Sequence, residues 1–181
     1  IVFLSFAENE FTCADERTAG AWSLDPPANA RQIRRASSKA DICVVMVHGG
    51  NEYNPIPSPR MIKTYRSFAD AGASIVIGTH PHVPQGFEIY RDVPIFYSIG
   101  NFVFDLPNDS PLWSKSYAVR AIFTNNIPEE IHVIPYKTVQ ERCRLTLLKG
   151  NELDRFLDYL TFLTDVISHE DEATRYWNGW C

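Results

Sequence analysis

Three apolar runs in this chain each break off at a short polar turn that contains glycine. Residues 42–47 lead into His48-Gly49-Gly50, residues 73–77 into Gly78-Thr79-His80-Pro81-His82, and residues 94–97 into Ser98-Ile99-Gly100-Asn101. Apolar runs of this length read as buried strands. An open parallel sheet binds ligands outside the carboxyl ends of its strands, so a strand ending in such a turn is where functional groups are presented. The repetition predicts one sheet edge on which His48, His80, His82 and Asn101 converge.

The segments between these runs agree with that reading. A strand over residues 1–6 is followed by a polar loop through Pro26 and Pro27 and a helix over about residues 30–39, with Ile33 and Ala36 facing the core. After His48 comes an irregular loop, Asn51-Glu52-Tyr53-Asn54-Pro55-Ile56-Pro57. Ser58-Pro59 then supplies an N-cap and a proline at the first helical position. Ile62, Tyr65, Phe68 and Ala69 fall at helical spacing, and Gly72 stops that helix. Strand, helix and strand over residues 42–77 make a parallel pair with a right-handed crossover, which puts the histidines on the same edge. Residues 87–90 and 95–97 flank Arg91-Asp92-Val93-Pro94 as a hairpin, and residues 117–123 and 131–136 read as further strands. From Asn151, Leu153, Phe156, Leu157, Leu160 and Leu163 mark an amphipathic helix.

Composition excludes several classes. The chain has 181 residues, 45% hydrophobic and 13% aromatic, enough for one globular core or part of a larger one. Its net charge of -5, with both signs interspersed, leaves no basic stripe for nucleic acid. No apolar run approaches the ~20 residues of a membrane-spanning helix. Cys13, Cys43, Cys143 and Cys181 lack CxxC spacing, and Cys43 sits in a core strand as a buried thiol. The start in mid-strand at Ile1 and the stop after Trp177 and Trp180 read as a piece of a longer protein.

A His-x-His pair in extended chain carries both rings on one side of the strand, with Pro81 restricting the backbone between them. Neutral imidazole binds Zn, Fe, Ni and Cu, and Mn where carboxylates complete the shell. Alternatively, His80 and His82 cap a strand and hydrogen-bond locally. His48 at a matching strand end favours the ligand reading. His132, in an alternating strand, and His169, in an acidic stretch, read as surface histidines. Tyr90, Phe96, Tyr97, Phe102, Phe104 and Trp113 read as core and pocket wall.

The ordered set Val47-His48-Gly49-Gly50-Asn51-Glu52-Tyr53, Pro59, Gly78-Thr79-His80-Pro81-His82 and Gly100-Asn101-Phe102-Val103-Phe104-Asp105 resembles the capsule synthesis protein CapA family, across roughly residues 33 to 105. That family is implicated in poly-gamma-glutamate capsule production and belongs by fold with the calcineurin-like metallophosphoesterases. The resemblance implies an α/β fold, part of a four-layer αββα sandwich, with two divalent metal ions (Mn, Fe or Zn) at the sheet edge. His48 looks like the isolated histidine ligand. His80 looks like the member of the pair that shares its metal, and His82 like the one that serves the other. Asn101 matches the family's Gly-Asn-Phe segment and lies near the substrate. Glu52 also matches, either reaching the site as an acid behind the ligands or standing as an exposed loop carboxylate.

Gly49 stands where the family commonly has Trp, and Thr79 where it commonly has a further His. Nothing before Ile42 resembles the motifs that supply a bridging Asp and an Asn; Asn9 and Asp15 have the right atoms in the wrong context. Residues 1–181 are therefore read as the C-terminal portion of one domain whose N-terminal metal-binding half is absent, inactive on its own. The function implied for the intact protein is dinuclear-metal hydrolysis of a phosphoester or acyl bond, acting on polyglutamate or another cell-envelope polymer. The alternatives are a non-enzymatic capsule assembly, export or polymer-binding component, and a half-domain completed by another chain.

Overall fold

Both early helices begin where a capping side chain meets proline. In the computed structural model, which describes residues 1–8, 13–104, 112–139 and 144–180, α1 (Pro26–Ser37) starts with Asp25 accepting from the Ala28 amide at 3.1 Å. Pro26 and Pro27 therefore open the helix and do not lie in the loop expected there. Proline has no amide to leave unpaired in the first turn, and its fixed φ already suits the helix. The Ser58 hydroxyl likewise accepts from the Met61 amide at 3.2 Å to start α2 (Pro59–Asp70), as expected.

The main sheet contains β1 (Val2–Ala7), β2 (Cys43–His48), β3 (Ile75–Thr79), β4 (Phe87–Tyr90) and β5 (Val93–Phe96) in the order β1-β2-β3-β5-β4. The first four in that order run parallel, and β4 pairs antiparallel with β5. The β4–β5 turn is the two residues Arg91 and Asp92, both at positive φ (49° and 66°), which matches the twist of a tight hairpin. A second sheet of β6 (Lys115–Thr124), β7 (Ile127–Val139) and β8 (Arg144–Leu147) is antiparallel. The β6 and β7 strands run past the bounds expected from the sequence to a turn at Asn125-Asn126. The β8 strand and α4 (Glu170–Trp180) were not expected at all.

The two faces of the main sheet carry two cores. On one, α1 and α2 lay Ile33, Met61, Tyr65 and Phe68 over Phe6, Val45, Val47 and Val76. On the other, Ile75 and Phe96 meet Tyr117 and the inner side of the second sheet. Alternation along β2 shows the division, since Cys43, Val45 and Val47 are buried under the helices while Val44 joins the other core. The helix α3 (Gly150–Ser168) serves both, with Phe156 and Leu160 between the sheets and Leu163, Val166 and Ile167 among the helices. The result is an α/β arrangement of helices over paired sheets. No helix among the described residues is long and apolar enough to cross a membrane.

Gly78 allows the close approach that sets the sheet edge. A Cβ there would lie 2.0 Å from the Tyr97 carbonyl oxygen and 2.7 Å from the Tyr65 hydroxyl. Only a residue without a side chain lets β3 press so closely on the segment after β5, two residues before His80.

Candidate functional site

The parallel strands deliver their ends to one edge, as expected. His48 is the last residue of β2, and β3 ends at Thr79, its register partner, so His80 emerges beside His48 with ring centroids 4.8 Å apart. The His80 and His82 rings lie 5.8 Å apart. The pair is not in extended chain, which corrects the geometric reason given for it. His80 and His82 both have positive φ, 98° and 61°, so they sit on a bend that follows the strand. Such conformations cost a non-glycine residue about 1–3 kcal/mol each and persist only where the surroundings impose them.

The surroundings do impose them. The Pro81 carbonyl accepts from the Tyr53 amide at 2.8 Å, and the Thr79 carbonyl accepts from the Gly49 amide at 3.1 Å, so the two turns are laced together. Asn101 completes the clamp from the third strand end. Its Nδ2 donates to the carbonyls of His82 and Trp113, both at 3.1 Å, and its Oδ1 lies 2.8 Å from His82 Nδ1. Two carbonyls facing one end of the amide fix which end carries the nitrogen. Oδ1 must then accept, His82 Nδ1 must carry the proton, and the Nε2 lone pair of neutral His82 is left for another partner. Nε2 faces Glu52 Oε1 at 3.8 Å.

Glu52, His80 and His82 each present a ligand atom within 4.8 Å of the other two. One carboxylate and two imidazoles at that separation are a donor set suited to a divalent cation. His80 is only 5% exposed, while half of the Glu52 side chain is open to solvent, so a cation would have an entry side. His48 lies against His80 yet outside this closest group, and its Nδ1 is 3.5 Å from the Thr79 hydroxyl, a distance too long to fix its tautomer.

The second sheet holds the site from behind. The Tyr136 hydroxyl donates to the Asn101 carbonyl at 3.0 Å and the Thr138 hydroxyl to the Phe102 carbonyl at 3.1 Å. Around His82, Trp113 and Phe104 stand with ring centroids at 5.0 and 4.9 Å, and Tyr53 stacks on Trp113 at 5.6 Å. Trp113 and Phe104 thus pack around His82, with Trp113 buried. Phe96 and Tyr97 are core, while Phe102 is largely exposed. Beneath the edge, burial and the Glu8 carboxylate push the Tyr65 phenol far above its ordinary value, keeping it neutral. His132 and His169 are exposed, His132 paired with Glu130. Asp105, Asn9, Cys143 and Cys181 lie outside the described residues.

The sequence reading missed Glu8. It follows β1 directly, and its amide donates to the His48 carbonyl at 2.9 Å, so it stands on the same edge. The rule that found the other strand ends applies to it equally; the weaker apolar run before it, broken by Ser5, hid the signal.

A family model for the bacterial capsule synthesis protein PGA_cap matches residues 4–106. Over 96 residues, 51% of this chain, the sequence is 44% identical to the capsule biosynthesis protein CapA of Bacillus anthracis, and that segment is 23% of the relative. Identity to the PGA biosynthesis protein CapA of Bacillus subtilis (strain 168) is 45% over 92 residues, 51% of this chain and 24% of that protein. A probable polyglutamine synthesis accessory protein of Mycobacterium tuberculosis is 31% identical over 93 residues, 48% of this chain and 24% of its own length. The chain spans about a quarter of the length of these relatives.

Proposed function

The chain belongs to the bacterial capsule synthesis protein family PGA_cap, and from that premise we propose that it serves capsule or poly-gamma-glutamate biosynthesis as the histidine-bearing part of a metal-dependent hydrolase. The observation that carries the proposal is the convergence of Glu52, His80 and His82, with Asn101 holding His82 in the tautomer that offers Nε2. In the intact protein two divalent ions (Mn, Fe or Zn) are proposed, with His48 beside His80 as a further ligand. The remaining ligands come from sequence outside this chain, supplied in cis or trans. Bound ions would supply Lewis acidity toward a phosphoester or acyl bond.

This chain's own residues bind and orient. His80 and His82 each present a ring nitrogen from a bend that Tyr53 and Asn101 hold by hydrogen bonds. Glu52 adds a negative charge on the solvent side. Asn101 is buried with both amide hydrogens given to the carbonyls of His82 and Trp113 and its oxygen against His82 Nδ1, which supports a positioning role near the substrate. The aromatic wall of Trp113, Phe104 and Tyr53 shields His82 from water. The substrate proposed is polyglutamate or another cell-envelope polymer, in line with the names of the relatives.

The test is turnover by the longest natural form of the protein, loaded in turn with Mn2+, Fe2+ and Zn2+, on phosphomonoesters, phosphodiesters and gamma-glutamyl polymer. Cation-dependent turnover that His80→Ala and His82→Ala abolish supports the hydrolase. Stoichiometric cation binding with no turnover on any substrate overturns it in favour of a capsule assembly or polymer-binding role.

A further inference from the structure

We infer that Glu8 is a positioning residue for the loop that carries Glu52, a role resting on the reading of Glu52, His80 and His82 as a cation site. The loop leaves the sheet at His48, turns through Gly49 and Gly50, and reaches Glu52 in four residues. Its inner side is tied to the His80 bend through the Gly49 and Tyr53 amides. Its outer side is tied by Glu8. The Glu8 Oε2 accepts from the Gly50 amide at 2.5 Å, Oε1 pairs with Arg60 Nη2 in the first turn of α2, and the Glu8 amide holds the His48 carbonyl.

The side chain fits a space that residue 49 leaves open. A Cβ at Gly49 would stand 2.8 Å from both Cγ and Oε2 of Glu8. The carboxylate therefore occupies the room a side chain at 49 would need, and the Glu8 side chain is only 19% exposed. Gly50 has φ 116°, a conformation the backbone holds readily only at glycine, and the amide it turns toward β1 is the one Glu8 receives. A charge-assisted bond to that amide fixes the loop more firmly than a neutral acceptor would. Arg60, mostly solvent-exposed, takes the other carboxylate oxygen and so leaves Oε2 aimed at Gly50.

The experiment pairs Mn2+ titration calorimetry with hydrogen exchange at the Gly50 amide, on the longest natural form and its Glu8→Ala and Glu8→Gln variants. Glu8→Ala is expected to weaken Mn2+ binding by about 10-fold or more, as removal of groups behind metal ligands does. Exchange at Gly50 should rise while exchange at Val45 in the middle of β2 stays as it was. Glu8→Gln, whose amide oxygen still accepts, should restore most of the Gly50 protection. Unchanged Gly50 exchange and unchanged Mn2+ affinity in Glu8→Ala overturn the inference. If the wild type itself takes up no Mn2+, the cation-site reading fails separately, and Gly50 exchange alone decides whether Glu8 holds the loop. Gly49→Ala displaces Glu8 from the other side and serves if Glu8→Ala does not fold. It should also speed Gly50 exchange, and an unaffected Gly50 counts against the role.

Discussion

Replacing Asn101 by alanine should loosen His82 and weaken cation binding together. The side chain is 7% exposed and makes three hydrogen bonds, one with His82 Nδ1 and two with the carbonyls of His82 and Trp113. At a net contribution of about 1 kcal/mol each, their loss should lower unfolding stability by about 3 kcal/mol, since both carbonyls lose this partner in a buried place. The His82 bend at φ 61° also loses what holds it. Freed of the Asn101 oxygen, the imidazole can move its proton to Nε2, the nitrogen that faces Glu52, so Mn2+ affinity should fall by about 10–100-fold. Urea unfolding gives the first quantity, titration calorimetry the second, and nitrogen-15 shifts of the His82 ring report the tautomer directly. A variant within about 0.5 kcal/mol of wild type, with the Nδ1–H tautomer retained, would refute the reasoning.

Gly78→Ala should be among the most damaging single-methyl additions in the chain, because its Cβ meets the Tyr97 backbone carbonyl and the hydroxyl of the fully buried Tyr65. A loss of about 3 kcal/mol or more is expected in urea unfolding, at the upper end for overpacking. Glu88 forms a bidentate pair with Arg66, both bonds 2.9 Å, and its Oε1 also accepts from the Tyr97 hydroxyl, so Glu88→Gln should cost about 3 kcal/mol by the same assay. Burial holds the phenols of Tyr65, Tyr97 and Tyr117 far above their ordinary value and pushes Tyr159 up to about 12 from 10.0. A folded value raised above the unfolded one gives stability that is complete below pH 10.0 and lost as pH climbs through about 12. Phenolate absorbance should therefore lag in the native protein and jump on alkaline unfolding; a smooth titration of all tyrosines near pH 10.0 with the fold intact would contradict it.

Much of this was legible because strand ends in a parallel sheet announce themselves. The runs before His48 and His80 read as unbroken apolar stretches, although Met46 in the first is exposed, and the crossover rule put their ends on one edge. Ser58-Pro59 and Gly72 marked α2 through backbone chemistry that acts locally. Pro26 and Pro27 misled because proline reads as loop unless the capping role of Asp25 is weighed with it. The β8 strand is four residues paired with β7, too short to carry a period, and the polar face of α4 masks the burial of Ala173. At the site, residue types could be read but not their geometry. His80 and His82 come together through a bend at positive φ, which no periodicity describes, and the job of Asn101 follows from two carbonyls distant in sequence. Glu8 escaped because its partners, Gly50 and Arg60, lie 42 and 52 residues away.

The most direct test is the metal content of the longest natural form of the protein, purified without chelator, measured by inductively coupled plasma mass spectrometry beside His82→Ala and Glu52→Ala. The account predicts bound Mn, Fe or Zn at one or more ions per chain in the wild type, falling sharply in both variants while each remains folded. A folded wild-type protein free of metal, or variants that retain the full metal content, would contradict it.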